Sequence, residues 1–461
     1  MNGSSVSKLS VSRRVRGSFA IAALVGMFVI SSSQKAEALP SFARQTGQPC
    51  QACHVGAFGP QLKPFGRDFK LYGYVNSDGK DHGPPIAAMA YVSYTHTNQN
   101  QPPNGQPDAL FGAAGNQPNN NLELDQASLY YAGRVTPTVG AFVQLTYDGV
   151  GNQYNLDNAD IRHSFEGSAF GKDYVAGFTF NNSPTMADLW NSSPIWGFPY
   201  NGSSVAPTPV AATVIDAGQQ GKVAGVGGYM MYNDWVYLEG DVYKGLGGKT
   251  MQILERPNVG DTYPGVIPYG KIAIQHDIKH HYFELGAYGL STGVYPGGDP
   301  SQGHNQLNGI ALDANYQYTG DQEHNMISAH STLIHENLNL AASKAMSASD
   351  NTSDTLNTFR ADVSYAHDDT WIPTAQFFRT WGSSDATYWG TSTGSSSPNS
   401  QGYVLELAYV PFGKPDSPVS CCNARLALQY VGYTEFDGTH AGASNNNAIY
   451  LNLWVAMALF K

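Results

Sequence analysis

The sequence predicts an all-β fold: a barrel of about 16 antiparallel strands, of the kind that spans an outer membrane, with a short N-terminal segment as its plug. Three observations lead there. Charged residues make up only 13% of the 461 residues, about half the usual share, while Gly (50) and Tyr (28) are abundant. From about Ile86 onward, apolar and polar residues alternate with period two, the mark of strands with two different faces. The connections then alternate between tight turns and long polar loops, as periplasmic turns and outer loops do in membrane barrels. A soluble β-sandwich would share the alternation of residues, so the spacing of the connections decides.

Residues 1–38 read as an export signal. Arg13, Arg14 and Arg16 form its basic start, Phe19 to Ile30 its apolar core, and Ala36-Glu37-Ala38 a small-x-small cleavage site. Ser12-Arg13-Arg14 hints at a twin-arginine signal, but Val15-Arg16-Gly17 is the wrong continuation, and an ordinary secretory signal is expected. The apolar core is shorter than the roughly 20 residues a membrane helix needs, and no later stretch approaches that length. Cleavage would remove five of 25 basic and one of 36 acidic residues, leaving a net charge of −15, which argues against nucleic acid as a partner.

Residues 39–84 carry the chemistry, at Cys50-Gln51-Ala52-Cys53-His54. C-x-x-C-H is the attachment signature of a c-type haem: Cys50 and Cys53 each add across a vinyl group, and His54 is the proximal iron ligand. A thioredoxin-like redox pair would sit in a βαβ pattern, and half of a zinc site would need a second pair nearby. Neither context is present. Arg44, Lys63, Arg67 and Lys70 cluster in the same segment, either as counter-ions for the haem propionates or as a solvated basic face. So short a segment cannot build its own core and must bury the haem against something larger.

Residues 85–461 are the barrel. The strands read as 86–97, 122–134, 139–148, 154–164, 173–181, 221–232, 235–244 and 269–279, then 281–290, 307–318, 323–336, 355–366, 371–382, 401–411, 423–434 and 448–461. Tight turns such as Thr136-Pro137-Thr138, Asn233-Asp234, Thr319-Gly320-Asp321-Gln322 and His367-Asp368-Asp369 separate long loops at 98–121, 182–220, 245–268, 291–306, 337–354, 383–400 and 435–447. Only 149–153 is short where a long loop is expected. Tyr403, Leu405, Leu407 and Tyr409 share an outward face opposite Glu406. Leu426, Leu428 and Tyr430 oppose Arg425 and Gln429, and Val236, Leu238 and Val242 oppose Tyr237, Glu239 and Asp241. An even strand count puts both chain ends on the periplasmic side, with the haem segment there or inside the barrel. The Pro- and Trp-bearing loop 182–220 either folds inward or caps the barrel. The apolar last strand ends like a barrel-assembly signal, with Lys461 following the terminal Phe460. Cys421 and Cys422 are adjacent, a poor geometry for a disulfide, and read as a turn without chemistry, with a vicinal disulfide or free thiols as alternatives.

The run Phe42-Ala43-Arg44-Gln45-Thr46-Gly47 before C-x-x-C-H, with Phe65-Gly66-Arg67-Asp68-Phe69-Lys70 and Gly73-Tyr74 after it, resembles the fused cytochrome-porin family. Gly140-Ala141-Phe142-Val143-Gln144 and Ala424-Arg425-Leu426-Ala427-Leu428-Gln429-Tyr430 extend the likeness into the barrel. The resemblance implies an outer-membrane monohaem cytochrome oxidising extracellular ferrous iron. Electrons would pass to a periplasmic cytochrome c or cupredoxin, making the chain a ferrous-iron:cytochrome c (or cupredoxin) oxidoreductase. The alternatives are a conduit for a different donor or acceptor, and a diffusion porin with a structural or sensory haem plug.

The sixth iron ligand is sought by strand parity. Ala88, Ala90, Val92, Tyr94 and His96 share the apolar face, while Met89, Tyr91, Ser93 and Thr95 face the lumen, so Met89 is preferred over His96. His82 and a lumen histidine from a distant strand stay open. A thioether ligand raises the haem potential, which suits a weak reductant. Glu123, Asp125, Glu239, Asp241 and Glu284 have lumen parity and the hard oxygens that iron ions favour, or are ordinary lumen acids. The histidines at 276, 280, 281, 304, 324, 330 and 335 show no metal-site spacing.

Overall fold

Strand alternation closes here into a single sheet. The computed structural model describes residues 40–80, 83–101, 118–217, 219–247, 263–320, 324–417 and 422–459. The export signal, His82, Cys421, and the terminal Phe460 and Lys461 lie outside the described residues. Among the described residues the strands are β1 (Ile86–Thr97), β2 (Asn120–Thr136), β3 (Val139–Asp148), β4 (Gln153–Ala169), β5 (Lys172–Asn181), β6 (Val223–Tyr232), β7 (Val236–Gly245) and β8 (Ile267–Ile278). They continue as β9 (His281–Val294), β10 (Asn305–Thr319), β11 (Met326–Asn339), β12 (Ser353–Ala366), β13 (Trp371–Gly382), β14 (Ser400–Tyr409), β15 (Cys422–Glu435) and β16 (Ala448–Ala458). Each pairs antiparallel with its sequence neighbours, and β1 closes on β16 from Ala87↔Ala458 to Thr97↔Ala448. Closure leaves no unpaired strand edge, the condition for a sheet to sit in hydrocarbon.

The two faces segregate as the alternation requires. Tyr403, Leu405, Leu407, Leu426 and Leu428 are exposed on the outside, whereas Glu406, Arg425 and Gln429 are buried on the inside. Bulges break simple counting in several strand pairs. In β2 the register jumps from Tyr91↔Gln126 to Val92↔Leu124, so that Asn121, Glu123 and Asp125 are buried before the bulge, and Ser128, Tyr130 and Ala132 after it. The extra residue keeps both halves of the strand facing correctly.

Several ends differ from the sequence reading. Strand β4 runs on to Ala169, not 164, because the hairpin is made by Phe170 and Gly171, both at positive φ (52° and 75°). Such a two-residue turn matches the right-handed twist of its strands. Strand β11 begins at Met326, not 323, since Gly320 donates to the Asn325 carbonyl within the turn.

The N-terminal segment plugs the short-turn end. It forms three short helices, α1 (Pro40–Thr46), α2 (Cys50–Cys53) and α3 (Pro64–Leu71), the last starting on a proline whose missing N–H a first helical turn does not need. Contacts reach the wall on several sides. Asn423 of β15 donates to the Ala57 carbonyl, Ser164 of β4 to that of Tyr72, and Tyr229 of β6 to that of Leu71. Gly140 of β3 lies so close to Gly73 that a Cβ there would come within 2.1 Å of its carbonyl oxygen. Loop 182–220 folds inward, settling the alternative between lumen and cap. Asp188 pairs with Lys271 of β8 at 2.9 Å, Gln376 of β13 donates to the Phe198 carbonyl, and Val214 donates to Glu336 of β11.

Candidate functional site

Helix α2 is a single turn that places Cys50 and Cys53 three residues apart, hence on one face. His54 then leaves the helix in an extended conformation (φ −114°, ψ 141°) and bridges to Leu62. Helix α3 lies against this turn: Lys63 donates to the Cys53 carbonyl at 2.8 Å, and any Cβ at Gly66 would fall 2.4 Å from that oxygen. Only glycine permits this approach.

A cavity of about 390 Å³ opens between the plug, β1–β4, β16 and the inward loop. That volume falls in the range of cofactor sites. Cys53, His54 and Met89 all line it, within an aromatic shell that includes Phe42, Phe69, Tyr130, Phe142, Trp196 and Trp454. Met89 is only 7% exposed, and Tyr130 Oη donates to its Sδ at 3.2 Å. His96, of opposite parity, instead bonds Asn120 away from the cavity. Cys50 is set behind this wall: it is fully buried beside Ala43, Val55 and Ala57, with Gly413 of the β14–β15 turn against it. The same turn accepts a hydrogen bond from the Gln51 N–H at Gly413 O.

These residues fit a covalently held haem on three counts. Burial pushes the His54 imidazole down to about 4, only partly offset by the Gly59 and Gln61 backbone, so it is neutral near pH 7 with a lone pair to give a metal. Cys53 borders the same cavity, where a thioether link from the C-x-x-C-H turn would have to start. A soft thioether, Met89, shares the cavity with that histidine.

The basic cluster has a use that neither sequence reading foresaw: it ties the plug to the barrel. Lys63 pairs with Asp369 in the β12–β13 turn at 3.0 Å. Arg67 donates to Gln317 Oε1 at 2.6 Å and lies 3.8 Å over the Trp190 ring. Lys70 donates to the carbonyls of Met186 and Asp188 and to Asn191 Oδ1, so the inward loop is fastened to α3. Arg44 donates to the Pro84 carbonyl. Among the four, Lys70 borders the cavity.

The five lumen acids are all buried, Glu123 and Asp125 on β2 and the other three on β7 and β9. Tyr237 donates to Glu239 and Tyr243 to Asp241, while Glu284 shares Lys271 with Asp188 and Asp313. Among the described residues, no three His, Cys, Asp or Glu side chains gather as a metal cage. The residues that sequence reasoning missed are those the inward loop contributes, Asn191, Ile195, Trp196, Tyr200 and Asn201. Their only sequence signal is the density of aromatic and proline residues in 182–220.

The chain matches no protein-family model and no curated protein. Solved structures that resemble it are barrels. An anion-selective porin from Comamonas acidovorans is 10% identical with a TM-score of 0.43, over 81% of this chain and 98% of the porin. OprB of Pseudomonas putida is 12% identical with a TM-score of 0.42, over 81% and 93%. The outer membrane channel DcaP of Acinetobacter baumannii is 10% identical with a TM-score of 0.41, over 81% and 96%.

Proposed function

We propose that this chain is an outer-membrane electron conduit. A single c-type haem would be bound through Cys50 and Cys53 and ligated by His54 and Met89. The observation that carries the reading is the convergence of Cys53, His54 and Met89, from plug and barrel wall, on one aromatic cavity. When bound, the haem supplies a one-electron carrier that the protein alone lacks. The residues do the rest. Burial keeps His54 neutral and ready to ligate, the aromatic shell excludes water, and Tyr130 steadies the Met89 sulfur. An apolar exterior suits a barrel in lipid, and a redox cofactor held in its lumen would bridge part of a membrane that electrons do not otherwise cross.

Ferrous iron is the proposed donor, since its oxidised product precipitates near neutral pH and is better formed outside the cell. A periplasmic cytochrome c or cupredoxin would accept the electron at the short-turn end, where α1–α3 form the mouth. The test is expression with the haem-attachment machinery, then haem staining after denaturing electrophoresis and anaerobic stopped-flow spectroscopy with ferrous iron. Covalent haem, absent from Cys50→Ala and Cys53→Ala, together with fast stoichiometric reduction, is expected. Ion conductance in planar bilayers without electron transfer across liposomes would instead make the chain a plugged diffusion porin.

A further inference from the structure

On β15 and at the long-loop end of β1, buried polar side chains are matched: Arg425 to Glu406, Gln429 to the Asn201 carbonyl, and Thr95 to Ser203 at 2.7 Å. Between them lies a seam where they are not. Strands β1 and β16 pair Tyr91 with Trp454, Ser93 with Asn452 and Thr95 with Tyr450, all with lumen parity. Along this seam Ser93 Oγ, both amide atoms of Asn452, Tyr450 Oη and Trp454 Nε1 are buried without a hydrogen-bond partner. Asp125, the residue left over by the β2 bulge, adds a sixth such atom, its Oδ2. Ser93 stands beside both the Asp125 carboxyl and the Tyr450 hydroxyl without reaching hydrogen-bond geometry, so these atoms share one place. Asn452, only 1% exposed, is at its centre.

The seam joins two cavities. Trp454 borders the first, as do Met89 and Gln126, whereas Tyr450 borders a second, of about 430 Å³, on the long-loop side. The inward loop divides its residues between the two, with Trp196 and Tyr200 on the first and Phe198 and Pro199 on the second. From Tyr450 to Trp454 the strand advances about 13 Å. Tyr91 flanks this distance, stacked on Tyr450 at 6.4 Å between centroids and edge to face with Trp454 at 5.7 Å.

The mixture of atoms fixes what the seam can bind. Asn452 Nδ2 and Trp454 Nε1 only donate, Asn452 Oδ1 and an ionised Asp125 only accept, and the two hydroxyls do either. A metal ion would meet the two N–H donors, and an anion would meet Asp125. Water both donates and accepts, and so satisfies all six. A buried water makes about three hydrogen bonds, so roughly two or three waters, bonded also to one another, use the six atoms.

We propose that the β1–β16 seam is an internal water-binding site whose waters join the two cavities behind the inward loop and relay protons between them. In each hop a water accepts one proton and gives up another, and after reorientation the file is as it began. The Asp125 carboxyl and the Ser93 and Tyr450 hydroxyls are members of the relay. Protein groups alone build this path, and it does not depend on a redox group.

The test uses the full chain in detergent micelles. A high-resolution crystal structure is expected to show water bonded to both amide atoms of Asn452 and to Ser93 Oγ. Deuterium exchange at the Trp454 indole N–H is followed by NMR, with the signal assigned by its loss in Trp454→Phe. Asn452→Leu keeps the side-chain size and removes both amide atoms; it is expected to lose these waters and to slow the exchange by about tenfold or more. Asn452→Ser, which still donates and accepts, is expected to hold the rate within about threefold of wild type. A wild-type seam whose Asn452 amide bonds protein in place of water would overturn the proposal, as would an unchanged exchange rate in Asn452→Leu or an equal loss in Asn452→Ser.

Discussion

The bond between plug and barrel offers the sharpest quantitative test. Lys63 and Asp369 form an ion pair whose side chains are 9% and 0% exposed. Asp369 also accepts the Gly56 N–H at 3.2 Å, just after the C-x-x-C-H turn. Asp369→Ala strands the ammonium of Lys63 in a buried site and orphans that N–H. Removing one partner of a buried pair costs about 3–5 kcal/mol. Because the barrel strands are held by their own ladders, this loss falls on docking of the plug. It raises the undocked population by a factor of about 10² to 10³·⁵, at about 1.4 kcal/mol per decade. Hydrogen exchange on residues 50–71 reads that population directly. Replacing both partners, Lys63→Met with Asp369→Asn, removes both charges yet keeps a side-chain oxygen for the Gly56 N–H and a residue that tolerates the φ of 45° at this position, so it should recover most of the protection. Unchanged exchange in Asp369→Ala would refute the assignment of this pair as an anchor, and equal damage in the double variant would show that the cost does not come from the stranded charge.

Met89→Ala should abolish the far-red sulfur-to-iron band of the oxidised haem protein and lower its potential, while Met89→His should give bis-histidine spectra; a band that survives Met89→Ala puts the sixth ligand elsewhere. Gly413 sits at φ +91°, with a Cβ position 2.5 Å from Asn423 Nδ2 and 3.1 Å from Cys50 Cβ. Gly413→Val should therefore destabilise plug docking by about 1–3 kcal/mol, measurable by the same exchange, and reduce haem attachment at Cys50. On the long-loop side, burial would raise Asp385, but bonds from the Asp350, Tyr388 and Asn351 N–H groups and from Ser349 hold it at about 2. A carboxyl lower in the folded state than in the unfolded contributes fully above the unfolded value, near 4. That contribution is lost as pH falls toward 2. Protease cleavage within 341–352 should accordingly rise over that interval, and Asp385→Asn should remove the pH dependence.

The resemblance noted in the sequence and the barrel read from its alternation stand on different footing from the site. Parity was sufficient for Met89, because a strand in a closed barrel has only two directions in which a side chain can point, and the lumen is one of them. It was sufficient for Glu406, Arg425 and Gln429 for the same reason. It could not say that Met89 and His54, 35 positions apart in the chain, would share a cavity. That depends on where α2 docks, which hangs on long-range contacts such as Lys63–Asp369 and Gln51–Gly413. The basic cluster shows the same limit. Four cations in a short stretch announce a partner of opposite polarity, but for Lys70 whether it is a ligand, water or a distant carbonyl is decided by a loop more than a hundred residues away.

The sequence by itself determined the number of strands, which face of each meets lipid, the alternation of turns and loops, and the C-x-x-C-H element. All of these are set by neighbours in the chain: the period-two pleat, the turn residues, and one helical turn with its following histidine. The tertiary structure alone decided that the plug lies inside the barrel, that loop 182–220 folds inward, and that this loop closes a cavity against the plug. These features arise where segments remote in sequence satisfy one another's buried polar groups, as Lys70 does for the carbonyls of Met186 and Asp188. A local pattern carries no record of which distant oxygen will be within reach.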